Sequence, residues 1–157
     1  MSQIRTREIA EGVLRKHFAR VKPAAYAYPE VLSLHAAVNL QLATGDPGLR
    51  DWIRELLRPF LAGELGQHMG AYWLYNVGGT ATAKLLQLGL LPEAEEAVDQ
   101  CAQKLVNECP RGPGRFLAYQ TNDRRQPDQL WIDMVFATCP FLTYAGLHLG
   151  RDAYLED

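Results

Sequence analysis

Concentrated basic charge is the first thing this sequence lacks: 16 Lys and Arg stand against 18 Asp and Glu, net charge −2, and no run gathers the cations. Neutralising phosphates takes a clustered basic surface, so the expectation is no nucleic-acid partner. Long apolar runs are missing too. Nowhere are there about 18 consecutive apolar residues, the length a membrane helix needs. The opening MSQIRTREIAEG also has no apolar core of the signal-peptide kind. These absences predict a cytoplasmic protein with no membrane partner. Cysteine is sparse and odd in number, three in all. Cys101 and Cys109 on one helix would lie about 12 Å apart, too far to bridge, so free thiols are expected. His17, His35, His68 and His148 are widely separated and no pair has metal-ligand spacing, so no metal is expected. Strand alternation bounded by hairpin turns is also absent.

Helical periodicity is what the chain has. With 48% apolar and 22% charged residues in 157 positions, it suits one globular all-α domain over residues 1–157. A first helix is predicted from Ser2, as N-cap, to Ala19, with Ile4, Ile9, Val13, Leu14 and Phe18 on one face. The segment VLSLHAAVNLQLATG that follows the next loop has no formal charge and reads as an inner helix covered on nearly all sides. DPGLRDWIRELLRPFLAG, with Asp46 as N-cap and Pro47 in the first turn, reads as an amphipathic outer helix. NVGGTATAKLLQLG is then inner, LPEAEEAVDQCAQKLVNE outer, and QLWIDMVFATCPFLTYAGLHLG inner again, with Pro140 set to kink it. RDAYLED reads as the first turn of a further outer helix. Gly45, Gly89 and Gly150 each close an inner helix with a residue suited to the left-handed cap. The pattern is one of stacked αα-hairpins, either an open solenoid or a closed α/α ring. The apolar inner helices favour a ring or arc, and the long loop from Cys109 to Asp128 is a place for function.

If the inner helices run the same way, their N-termini gather at one end. Tyr26 and Tyr28 fall there with Tyr72, Trp73, Tyr75 and Asn76, and with Gln129, Trp131 and Asp133. Rings stack on pyranose faces and amides and carboxylates bond hydroxyls, so this end suits a sugar. Helix dipoles would favour an anionic sugar and lower the Asp133 pKa, while burial beside Trp131 and Phe136 would raise it. Plainer roles exist: Asp133 as a dipole partner, the aromatics as core, and His68 as a solvated loop residue.

The run Gln129-x-Trp131-x-Asp133, followed by Pro140-Phe141 and Gly150, resembles a segment of the unsaturated uronyl hydrolases, glycoside hydrolase families 105 and 88. YNVGGTATAKLLQLG, ECPRGPGRF and ATGD are similar to further segments of that family, in the same order. The resemblance implies stacked αα-hairpins forming about half of a six-hairpin α/α barrel. It also implies a carbohydrate-active enzyme that removes an unsaturated uronic acid from lyase-generated oligosaccharides by hydrating the C4=C5 bond. Asp133 would be the catalytic general acid/base, with Tyr28, Asn76, Gln129 and Trp131 binding substrate and no cofactor required.

The sequence departs from the family at Asn76, where a second aspartate is expected, and in GRFLAYQTND, which lacks the family's histidine. Half a ring would leave two apolar flanks open, which predicts a homo-oligomer or the remainder of a longer chain as partner. A catalytically degenerate half-barrel that binds sugar or protein, and an unrelated α-solenoid adaptor, are the competing readings.

Overall fold

The computed structural model describes residues 3–21, 28–64, 73–112, 114, 117, 119–121, 124–126 and 132–156. Six helices follow one another: α1 (Gln3–Phe18), α2 (Tyr28–Thr44), α3 (Pro47–Leu61), α4 (Gly79–Gln87), α5 (Glu95–Asn107) and α6 (Ile132–Leu149). Short 3-10 turns occupy Trp73–Val77, Pro92–Ala94 and Asp152–Tyr154. The class is all-α, with one departure inside the long loop. There β1 (Tyr119–Thr121) pairs antiparallel with β2 (Arg124–Gln126), Tyr119 opposite Gln126 and Thr121 opposite Arg124. Strands of three residues are too short to register as alternation in a sequence.

The helix starts and stops follow local chemistry. Asp46 has extended backbone, and its Oδ1 accepts from the Leu49 N–H at 3.0 Å while Pro47 takes the first helical position, which needs no donor. Gly45, Gly89 and Gly150 close α2, α4 and α6 at φ 66°, 69° and 62°, the left-handed conformation expected of them. Ser2, the predicted first N-cap, lies outside the described residues. NVGGTATAKLLQLG is not helical throughout: Asn76 and Val77 belong to a 3-10 turn, and α4 begins only at Gly79. Gly78 and Gly79 both have positive φ, which no continuous helix accommodates. Pro92 likewise opens a 3-10 turn before α5, and RDAYLED forms one such turn rather than a helix. α6 continues through Pro140 to Leu149.

α4 packs between α2 and α6; α1 and α3 lie against α2, and α5 against α6. At one end Gly79 meets Val31, and Thr80 Oγ1 donates to the Ala137 carbonyl at 3.3 Å. Further along, Lys84 Nζ reaches Asn39 Oδ1 at 2.6 Å and lies 5.9 Å from the centre of the Tyr144 ring. Residue numbers rise together on all three helices, so α2, α4 and α6 run in the same direction. The core is made of stripes at helical spacing: Leu34 and Val38 on α2, Leu49, Ile53 and Leu57 on α3, Val98 and Leu105 on α5, and Phe141 on α6, all fully buried. Phe18 of α1 closes on Trp52 of α3 edge to face at 5.7 Å, with Arg15 over the same indole.

α2 is not covered on nearly all sides. Ala36, Asn39, Leu42 and Ala43 are exposed along one face. A matching strip on α6 carries Phe136, Cys139, Thr143 and Leu147. No formal charge was needed to keep these positions wet, because small and aliphatic side chains are tolerated at a surface singly.

The C-terminal turn is locked to α5 through Asp99. Tyr154 Oη donates to Asp99 Oδ1 and Arg151 Nη2 to Asp99 Oδ2, both at 2.6 Å. Burial, helped by the Asp99 carboxylate, pushes the Tyr154 phenol from 10.0 up to about 12. Burial also pushes the Cys101 thiol from 9.0 up to about 12. The fold therefore favours the neutral form of both groups. Their contribution is complete below the ordinary pKa values and is lost as pH rises from 9 through about 12. Urea midpoints measured from neutral pH into that range should fall, and Tyr154→Phe together with Cys101→Ala should flatten the fall.

Candidate functional site

The shared direction of α2, α4 and α6 brings their N-terminal ends together. Tyr28 opens α2, half-buried, and its ring lies 6.0 Å from the buried Tyr75 ring. The 3-10 turn Trp73–Val77 presents residues three apart on a common side, so Tyr75 turns to Tyr28 while Trp73 and Asn76 line a cavity. Asp133 is the second residue of α6, one turn before the Ala137 carbonyl that Thr80 engages, or about 6 Å along the axis. The Asp133 side chain lies outside the described residues, as do Gln129 and Trp131, and Tyr26, His68 and Tyr72. Of the sequence-derived candidates, Tyr28, Trp73, Tyr75 and Asn76 have described side chains: Tyr28 pairs with Tyr75, while Trp73 and Asn76 line the cavity. Phe136, which follows Asp133 on α6, is 55% exposed.

The cavity holds about 430 Å³ between the C-terminal end of α3, the Trp73–Val77 turn and α5. An indole (Trp73), two amides (Asn76 and Gln100), an ammonium (Lys104) and a carboxylate (Glu108) share its wall with Phe60, Leu61 and Cys101. One ring face with several polar groups is the composition of a small-molecule pocket. Cys101 contributes shape, since a thiol held near 12 is protonated at neutral pH and is no nucleophile. Gln100, Lys104 and Glu108 belong to the segment expected as an amphipathic outer helix and were not singled out as site residues. Their spacing of four residues, one face of α5, was the signal available for a pocket wall.

On the open face of the inner layer, His35, Asn39, Lys84 and Tyr144 form a second polar group. Burial, reinforced by the Lys84 charge, lowers the His35 pKa, so its imidazole is neutral at pH 7.

The class of fold is all-α, with α2, α4 and α6 side by side and parallel. Comparison with family models, with curated proteins and with solved structures returns no match. Among the described residues no helix is long and apolar enough to cross a membrane, and no cluster of three His, Cys, Asp or Glu is placed to hold a metal.

Proposed function

We propose that this chain is a carbohydrate-active, glycoside hydrolase-like protein related to the unsaturated uronyl hydrolases, built as about half of their six-hairpin barrel. The observation that carries the reading is the convergence of the α2, α4 and α6 heads, with Asp133 in the first turn of α6 and the Tyr28–Tyr75 aromatic pair beside them. Aromatic rings at converging helix N-termini offer stacking faces and positive potential together, which suits a sugar bearing a carboxylate. In this reading Asp133 protonates the C4=C5 double bond of a terminal unsaturated uronic acid and activates the water that adds to it. One carboxyl group serves as both acid and base. Gln129, Trp131, Asn76 and Tyr28 hold the sugar, and no cofactor takes part.

The test is disappearance of the conjugated uronyl chromophore when the protein meets unsaturated glucuronyl and galacturonyl disaccharides. Wild type should consume it and Asp133→Asn should not. Equal inertness of both proteins would remove the hydrolase activity.

Asn76 favours a second reading, a half-barrel that binds sugar without turnover, because an amide bonds hydroxyls but transfers no proton. In that case calorimetry detects the disaccharide on wild type and Asp133→Asn alike while the chromophore persists.

Self-association belongs to the same proposal. Val13 and Ile9 on α1 are 63% and 53% exposed, and Phe136 and Leu147 on α6 are 55% and 57% exposed. These helices begin and end the inner and outer succession, so a second copy could cover both. Sedimentation should give a dimer, and Val13→Glu or Phe136→Glu should give a monomer with unchanged helicity. A folded wild-type monomer would refute the pairing.

A further inference from the structure

The three inner helices carry three formally charged residues, Glu30, Lys84 and Asp133. Glu30 is buried against α1, with His17 Nε2 3.4 Å from its Oε1, and Asp133 stands at the head of α6. Lys84 is different: it lies mid-way along the central helix, half-buried, between the open faces of α2 and α6. Its ammonium donates to Asn39 Oδ1 at 2.6 Å and lies 5.9 Å from the centre of the Tyr144 ring. No carboxylate among the described residues lies within ion-pair distance of it. His35, one turn before Asn39 on α2, feels the Lys84 charge.

An ammonium placed among neutral groups has lost part of its water shell without gaining a counter-ion. A carboxylate arriving there gains a charge-assisted hydrogen bond at a site already partly dehydrated. Around that point the Asn39 amide nitrogen, the Tyr144 hydroxyl and the neutral His35 ring supply donors for the remaining lone pairs and hydroxyls of a sugar acid. The position is about 6 Å along α4 from Thr80, while Asn39 and Tyr144 each lie eleven residues, about 16 Å, beyond Tyr28 and Asp133 at the heads of α2 and α6.

We propose that Lys84, with Asn39, Tyr144 and His35 around it, is a carboxylate-binding subsite on the open face of the inner layer, taking the carboxylate of an acidic sugar. It deepens the reading of this chain as a uronate-handling protein and rests on it for the identity of the ligand. Tyr144 lies eleven residues, about 16 Å along α6, from Asp133, so the subsite takes the carboxylate of a second acidic sugar unit and not that of the unit being hydrated.

The experiment titrates the whole chain with D-glucuronate and, separately, with uncharged methyl glucoside, followed by NMR of the histidine rings and the side-chain amides. Glucuronate should shift the Asn39 amide and raise the His35 pKa, because a bound anion offsets the Lys84 charge; methyl glucoside should do neither. Lys84→Met should weaken glucuronate by about tenfold or more, the loss expected of a hydrogen bond to a charged group. Lys84→Arg should retain binding, which guards against a fold defect in the methionine variant. Glucuronate binding that is unchanged in Lys84→Met overturns the subsite while leaving the uronate reading intact. No response of His35 or Asn39 to glucuronate in the wild type also overturns it. Lys84-dependent glucuronate binding in a protein that neither binds nor consumes unsaturated disaccharides supports the subsite and refutes the hydrolase reading.

Discussion

Phe141→Ala lowers the unfolding free energy by about 3–5 kcal/mol, the range for deleting a buried ring and leaving a cavity. Phe141 is fully buried and heads the buried side chains by volume. It sits on α6, the helix that packs along both α4 and α5, so the hole opens where inner and outer layers meet. Domains of this size have only about 5–15 kcal/mol in total, and the variant should lose a large share of it. Urea denaturation followed by circular dichroism should show an earlier midpoint with an unchanged slope. Measured below the concentration at which two copies pair, Phe136→Ala is the internal control. It deletes the same ring from the same helix where the ring is 55% exposed, and should shift stability by about 0.5 kcal/mol or less.

Gly79→Ala should cost about 2–4 kcal/mol from two sources that can be separated. Its φ of +62° is a conformation that an L-side chain enters only with strain, and a Cβ built there lies 2.5 Å from Val31 Cγ1. The first cost is local and the second arises from the seating of α4 on α2. Gly45→Ala isolates the first, since Gly45 has a similar φ of +66° and nothing within 4 Å of the added carbon. In the double variant Gly79→Ala/Val31→Ala the clash is relieved and the backbone strain is not. The two changes should therefore be less than additive. Thermal unfolding of wild type, Gly45→Ala, Gly79→Ala, Val31→Ala and the double variant decides it. Equal destabilisation at Gly45 and Gly79 would show that the close approach of α4 to α2 contributes nothing.

The outer helices were the most legible part of the fold. α3 displays Asp46, Pro47 and an apolar stripe at the helical period, each readable one residue at a time. The ends of the inner helices were legible too, because a left-handed cap leaves a glycine in the sequence. The inner helices themselves were read as more covered than they are. Asn39 and Lys84 satisfy each other across α2 and α4, which keeps that face open without a conspicuous run of charge. The start of α4 was misplaced because a Gly-Gly pair signals flexibility in sequence, and only the packing of Val31 and Leu57 around it selects two positive φ values. The candidate site was half legible. Tyr28 and Asn76 are legible from their places before uncharged helices, whereas nothing local marks Gln100, Lys104 and Glu108, exposed on one side of α5, as facing the Trp73–Val77 turn.

By itself the sequence determined the helical class, the alternation of uncharged and amphipathic segments, the Asp46 cap and the glycines where α2, α4 and α6 end, since these depend on periodicity and on the chemistry of single residues. Tertiary structure alone decided that α4 is the short centre of the inner layer, that Lys84 bridges Asn39 and Tyr144, and that a cavity opens between α3 and α5. Each of those depends on distances between residues dozens of positions apart, which only the packing of the helices against one another determines.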